Sequence, residues 1–364
     1  SEGCFLVRFI GMFQTTLVYA VFYVLMALGF ALIFGAARFV NLYHGSFYML
    51  GAYIFATFAK TSQFSFPTFG FIIIQIIIVA GLVMFIIRSI KNKSAKKQPI
   101  YKKFAFPVLL VVFAQLPLLM LYCKISFPGF GNIDLLISLI LTMGIIGSIS
   151  VAINKYLIEP VRGEGVTVLI ITIALAFFTE RLISAIYGSS SIPVPSFIST
   201  YPVSLIAGST LDSKRLFMFI IGVVLIILVW LIMNKTKLGK GVLAVAQDKE
   251  AATLMGINPK FVYAFAIALS GILAAFAGIF STPFLGDAAP NIWMPPLIKA
   301  FAIVILGGMG SIFGSVIAAF ILAFVEKFTK YFISSSLEEV VFLIVIIIIL
   351  VIRPQGLFGK KGRV

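Results

Sequence analysis

Apolar runs separated by short polar stretches set the plan of the chain. Met12 to Phe34, Phe69 to Ile87, Phe104 to Tyr122, Leu135 to Ile153, Val166 to Tyr187, Leu216 to Met233, Phe261 to Phe280 and Val340 to Ile352 read as spans. A helix rises about 1.5 Å per residue, so most of these runs suffice for a hydrocarbon core about 30 Å thick. Phe47 to Phe58 is too short for a full crossing. It predicts either a helix that extends back through the polar junction before it or a broken, partly re-entrant one. Leu297 to Leu306 and Ile312 to Phe324 are also short, and Gly307-Gly308-Met309-Gly310-Ser311 separates them. They read as half-helices joined inside the membrane, where non-helical backbone is tolerated only if protein or a water-lined cavity satisfies it. The pattern predicts an all-α fold, a polytopic membrane helix bundle of about nine or ten membrane segments, as one transmembrane domain over residues 1–364.

Composition agrees. Hydrophobic residues make up 61% of the 364 and charged residues 11%, more apolar surface than a soluble core of this size hides. The net charge of +16 invites a nucleic-acid reading. The lysines, however, lie between and after the apolar runs, where cytoplasmic loops carry them, so the bilayer and not a nucleic acid is the expected partner. Arg88, Lys91, Lys93, Lys96, Lys97, Lys102 and Lys103 occur with no acid among them and mark a cytoplasmic loop. Lys155 to Gly165 falls on the same side, while Lys124 to Asn132 and the nearly uncharged Gly188 to Ser213 fall outside. The glycine break then sends the basic tail, Lys360, Lys361 and Arg363, to the cytoplasm. Trp293, among the prolines of the external turn Thr282 to Pro296, reads as an aromatic-belt residue. Lys299 reads as a snorkelling side chain. Glu180 and Arg181 either sit near the outer interface or pair across the bundle.

Lys235 to Lys260 is the longest polar interruption in the second half. Ala251, Leu254 and Met255 fall on one helical face. Gly256 stands where a helix C-terminus favours positive φ, and Asn258-Pro259 reads as the N-cap and first position of the next helix. The stretch predicts a short helix of about three turns, a tight break and a membrane helix entering from the same side. Five lysines against Asp248 and Glu250 place it in the cytoplasm.

Candidate chemistry is sparse. His44 is the sole histidine, and no Cys-x-x-Cys or His-x-x-x-His spacing exists, so no metal site is expected. Cys4 and Cys123 define no disulfide framework. The start, Ser1-Glu2-Gly3-Cys4, lacks a basic leader region, and no cleaved signal peptide is expected. No nucleophile and base converge, so the chain does not read as an enzyme. Gly-x-x-x-x-Gly-Lys-Ser/Thr is absent, so it has no P-loop to cradle ATP, and energy must come from a partner.

Several stretches share one resemblance. Gly29-Phe-Ala-Leu-Ile-Phe-Gly35-x-x-Arg38-x-x-Asn41-x-x-His44-Gly45-x-x-Tyr48-Met-Leu-Gly51 resembles the first signature of the branched-chain amino-acid ABC permeases of the Liv type, and of their first permease in particular. Glu159-Pro160-Val-Arg162-Gly163 resembles a loop of that family. Ala246-Gln247-Asp248-Lys249-Glu250-Ala251-Ala252-x-Leu254-Met255-Gly256-Ile257-Asn258 resembles its coupling loop. Leu306-Gly307-Gly308-Met309-Gly310-Ser311-Ile312-x-Gly314 and Arg353-Pro354-Gln355-Gly356-Leu357-Phe358-Gly359 resemble its last two signatures. Residues 88–122, a basic loop plus a span, depart from the family pattern as an insertion, and the proline-ended tail of the generic importer motif is absent after Gly256.

The resemblance implies a permease subunit of an ATP-driven importer of branched-chain or related amino acids. It would be a multi-pass protein of a prokaryotic cytoplasmic (inner) membrane, its C-terminus cytoplasmic. Its partners would be a second permease subunit (hetero- or homodimer), two ABC ATPase subunits and an extracytoplasmic solute-binding protein. The chain would bind no cofactor, the partner subunits hydrolysing ATP. Gln247, Asp248, Glu250, Ala251, Ala252, Leu254, Met255 and Gly256 would form the ATPase-coupling handle in loop 235–260. Asn41, His44 and Gly45 are substrate-path candidates, because unwound backbone and half-helix ends can meet an amino acid's carboxylate and ammonium. Gly307, Gly308 and Gly310 are candidates at the second break. Close helix packing is the alternative for the glycines, and satisfaction of a loop carbonyl the alternative for His44. Two other functions stay open: an ABC permease for another small solute (simple sugar, urea or amide), and an ion-coupled secondary transporter using Glu180 and Glu326.

Overall fold

The computed structural model describes residues 2–37, 39–59, 131–161, 165–196, 202–204, 210–285, 287–308, 310–353 and 355–358. The spans read at Phe69 to Ile87 and Phe104 to Tyr122, the basic loop between them and the basic tail lie outside these residues, as do Arg38, Arg162, Gly163 and Met309. Among the described residues the chain forms α1 (Glu2–Ala37), α2 (His44–Ala59), α3 (Gly131–Ile153), α4 (Gly165–Tyr187), α5 (Ser213–Lys235), α6 (Lys237–Gln247), α7 (Lys249–Leu254), α8 (Pro259–Leu285), α9 (Met294–Gly307), α10 (Ile312–Phe332) and α11 (Glu338–Ile352). The only strands among them are a three-residue antiparallel pair, Pro202–Ser204 with Thr210–Asp212. Six helices among the described residues are long and apolar enough to cross a membrane. The all-α membrane bundle read from the pattern is the observed architecture.

The burial pattern follows from composition. α1 is apolar on every side, as a helix surrounded by others must be, and it packs against α10, α8, α9 and α5. α5 and α11 lie at the periphery, with Ile220, Val224, Ile227, Ile347 and Val351 exposed, as befits surfaces toward lipid. α10 runs antiparallel to α1: Thr15 shares a hydrogen bond with Tyr331, and Tyr23 meets Glu326.

α2 has 16 residues, so it is about 24 Å long. It extends Phe47 to Phe58 back to His44 and is buried along most of its length. It lies alongside α8 in the same direction, with His44 against Ser270, Gly51 against Ala275, and Tyr53 reaching the Ala288 carbonyl. Ser270 is near the middle of α8, so α2 begins halfway along the bundle. α9 begins at the same level, since a Cβ on Gly45 would lie 2.7 Å from the Trp293 carbonyl oxygen. It follows α1, with Lys299 at Tyr23 and Phe301 at Phe30, and so leaves in the opposite direction from α2. Two half-helices therefore diverge from the centre of the bundle.

Four readings need correction. Ile312 to Phe324 is not a half-helix: it is the first part of α10, whose 21 residues reach about 31 Å. The helix read as continuous in 235–260 is two, because Asp248 leaves helical geometry (φ −148°, ψ 111°) and its carboxylate caps α7. Trp293 is not an aromatic-belt residue: it is 1% exposed and packs against Phe177. Lys299 does not snorkel, because a carboxylate waits for it inside the bundle.

Candidate functional site

Three constellations stand out. The first lies at the end of the bundle that carries α6 and α7. Thr236 caps α6 by accepting the Gly239 N–H at 3.0 Å. The inward face of α6, Gly239, Gly241, Val242 and Val245, is buried. Gly239 is obligatory there, since a Cβ would stand 2.2 Å from the Ile232 carbonyl oxygen. Asp248 Oδ1 then accepts the N–H groups of Glu250 and Ala251 at 2.8 and 3.0 Å, and starts α7. Gly256, at φ 81°, ends it. The Ile257 N–H reaches the Ala252 carbonyl and the Gly256 N–H that of Thr253, the paired bonds of a Schellman cap. Asn258 Oδ1 accepts the Lys260 N–H at 3.1 Å and caps α8.

These caps fix what α7 presents. Ala252 is buried against the bundle, while Gln247, Asp248, Glu250, Ala251 and Gly256 are exposed. Leu254 and Met255 are 88% and 85% exposed. Two large apolar side chains are thus held out on a rigidly capped turn, ringed by acids and a glutamine.

The second constellation is the central crossing. His44 is fully buried. Its Nε2 lies 3.1 Å from the Met26 carbonyl of α1 and its Nδ1 3.0 Å from the Ser270 hydroxyl of α8. A carbonyl only accepts, so Nε2 carries the proton and Nδ1 accepts from Ser270. The ring thereby ties three helices, and its edge meets Phe30 at 79°. Asn41 is buried and accepts the Tyr43 N–H on Oδ1, turning the chain into α2. Tyr43 reaches Thr179 at 3.0 Å, and Glu180, one residue on, accepts the Trp293 Nε1–H at 2.7 Å. Arg181 also lies 3.6 Å from Glu180. Of the two open readings, Glu180 pairs across the bundle. Gly45 sits under Trp293 and Leu297.

Gly307, Gly308 and Gly310 are not brought to this crossing. Gly307 packs on Gly314, its added Cβ 2.5 Å from backbone, and Gly308 and Gly310 hold positive φ. The tail docks on them: the N–H groups of Leu357 and Phe358 reach the carbonyls of Leu306 and Gly307 at 2.7 and 3.2 Å. The last two sequence signatures are therefore one structural unit, the tail satisfying carbonyls that the end of α9 would leave open.

The third constellation was legible in the sequence only as the isolated residues Glu326 and Lys299, not as a network. Glu326 of α10 is 1% exposed. Its Oε1 is 2.8 Å from Lys299 and 3.1 Å from Lys327, and its Oε2 accepts from Tyr23 at 2.6 Å. Lys327, also buried, bonds Glu338, which Lys330 approaches at 3.4 Å. The Lys327 ammonium stands 3.5 Å above the Tyr19 ring. The signal that could have found it is the Glu326-Lys327 pair inside an apolar run, since ionisable groups at that depth are costly and need partners. A cavity of about 360 Å³ adjoins the network, lined in part by Tyr19, Tyr23, Tyr48, Ser281, Asp287 and Lys299. Among the described residues no group of three or more His, Cys, Asp or Glu is placed to hold a metal.

Known proteins resemble this chain over most of its length. The family model described as "Branched-chain amino acid transport system / permease component" matches residues 12–128 and 104–350. The high-affinity branched-chain amino acid transport system permease protein LivH of Salmonella typhimurium is 23% identical over 93% of this chain and 91% of its own. The corresponding protein BraD of Pseudomonas aeruginosa is 23% identical over 93% and 92%. The galactose/methyl galactoside import permease protein MglC of Salmonella typhimurium is 25% identical over 52% of this chain and 57% of its own. No solved structure gives a significant match.

Proposed function

The chain belongs to the branched-chain amino acid transport system permease family, and from that premise we propose that it is the translocating subunit of an ATP-driven importer of branched-chain or related apolar amino acids. It works with a second permease subunit, two ABC ATPase subunits and an extracytoplasmic solute-binding protein, and binds no cofactor of its own. It lies in the inner membrane of a prokaryote with α6, α7 and the C-terminus in the cytoplasm. The observation that carries the reading is the presentation of Leu254 and Met255, almost fully exposed on a turn capped at both ends. Burial in a partner groove would recover roughly 1.5–3 kcal/mol for each side chain. Asp248 and Glu250 set the register against basic partner residues, and Gln247, Ala251, Ala252 and Gly256 complete the handle. Because α6 is packed under α8 and leads directly from α5, a tilt of α7 is transmitted to two spans.

On this reading Asn41, His44 and Gly45 belong to the substrate path as the frame of the mid-bundle break, and Gly307, Gly308 and Gly310 as the frame of the second one. The similarity to MglC favours a second reading, a sugar as solute. Uptake of radiolabelled leucine and galactose by membrane vesicles holding the complete transporter separates the two. Glu250→Lys tests the mechanism. It should abolish ATPase co-purification and uptake while membrane insertion continues. Uptake that persists without any ATPase overturns the coupling role.

A further inference from the structure

The buried charge network is lopsided. Lys299, Lys327 and Lys330 share two carboxylates, Glu326 and Glu338, in the order Lys299–Glu326–Lys327–Glu338–Lys330. Three cations against two anions leave one positive charge in excess. Lys330, at one end of the row, is 43% exposed in its side chain and can be solvated. Lys299, at the other end, is only 17% exposed, and it lines the cavity of about 360 Å³. Its ammonium has three donors. Glu326 takes one at 2.8 Å and the Tyr23 hydroxyl another at 3.0 Å. Tyr23 in turn donates to the other Glu326 oxygen, so the ammonium is held in place from two directions.

We propose that Lys299 is the carboxylate anchor of a binding site for a zwitterionic amino acid inside this cavity, with Asp287 receiving the α-ammonium. This rests on the function proposed above and names the chemistry by which the permease itself, apart from any binding protein, recognises its solute. The cavity lies at the lower end of the range for small-molecule pockets, roughly 300–1,000 Å³. Its walls carry both charge signs and an apolar side, from Phe22, Met26 and Ile292, for the solute's hydrocarbon. A carboxylate on the remaining Lys299 donor gains a charge-assisted hydrogen bond at the buried end of the row. A neutral sugar carries no carboxylate to take that donor. When the site is filled, the ammonium is divided between two carboxylates.

The test is direct binding of radiolabelled leucine to the purified full-length chain in lipid nanodiscs, without binding protein. The wild-type chain should bind leucine. Leucinol, which lacks the carboxylate, should fail to compete, and 4-methylpentanoate, which lacks the amine, should compete weakly. Asp287 is exposed and is not one of the partners of Glu326, so Asp287→Asn leaves that network's bonds intact. It should weaken leucine about tenfold, the value of one charge-assisted hydrogen bond, and leave 4-methylpentanoate unchanged. Lys299→Met should abolish binding of both, and Lys299→Arg, which keeps the Glu326 pair and the fold, should retain part of it. Leucinol competing as well as leucine, or Asp287→Asn binding leucine normally, overturns the site. So does a wild-type chain that binds no leucine, whereas vesicle uptake of leucine in that case leaves the permease role standing. Galactose binding in place of leucine overturns both.

Discussion

Ser270 of α8 donates its hydroxyl proton to Nδ1 of His44 across 3.0 Å, while Nε2 of the same ring donates to the Met26 carbonyl of α1. Both residues are fully buried. Ser270→Ala leaves one ring nitrogen without a partner, a cost of about 1–3 kcal/mol. His44→Ala also opens a cavity and should be the more damaging. The expected result is a lowered melting temperature of the detergent-solubilised protein with solute selectivity unchanged. An unchanged melting temperature with altered selectivity would show that His44 acts on the solute and not on the helices.

The contact between α2 and α8 is made of backbone. A Cβ on Gly278 would stand 2.0 Å from the Tyr48 carbonyl oxygen, and one on Gly51 would stand 2.6 Å from Ala275 Cα. No side-chain motion relieves either, so Gly278→Ala and Gly51→Ala should each prevent recovery of folded protein. Gly11→Ala, with nothing within 4 Å, is the control and should be recovered at the wild-type level. Size-exclusion profiles of fluorescently tagged variants distinguish these outcomes.

Leu254 and Met255 contribute nothing to the bundle's own packing at 88% and 85% exposure. Replacing both with serine should change the stability by no more than about 0.5 kcal/mol and remove ATPase co-purification. Asp248→Ala acts differently. It deletes the cap of α7, worth about 1 kcal/mol, and should weaken ATPase binding by loosening the turn while keeping its surface. Pull-down yields against salt concentration tell the cases apart, since loss of the acid also reduces the salt dependence.

The tail is held by main-chain bonds and by Gly356 at φ 78°, where an added Cβ would fall 2.5 Å from the Ile305 carbonyl oxygen. Gly356→Ala should release it. Chymotrypsin should then cut after Leu357 or Phe358 faster than in the wild type, and the Leu357 amide should exchange its proton more quickly. Unchanged exchange at Leu357 would mean that the bond to Leu306 does not hold the tail.

The linear pattern by itself determined the membrane class and the all-α bundle, because a run of apolar residues must satisfy its backbone internally wherever it lies in lipid. Local chemistry also determined the ends of elements. Gly256 and Asn258-Pro259 are caps whose partners lie within a few residues, and the glycine break at Gly307 to Gly310 separates two helices as its composition requires. The split at Asp248 could have been read from the same cue, since an aspartate four residues before Ala252 offers a cap as readily as a helical position. Tertiary structure alone decided the partners of polar groups in the bundle. Lys299 meets Glu326, Glu180 meets Trp293, and His44 meets Met26 and Ser270 only because particular helices are rotated and shifted against each other. Side chains far apart in the chain carry no local mark of that rotation. Yet a charge or ring nitrogen in a low-dielectric interior must find a partner, so the fold, and not the sequence pattern, selected which one.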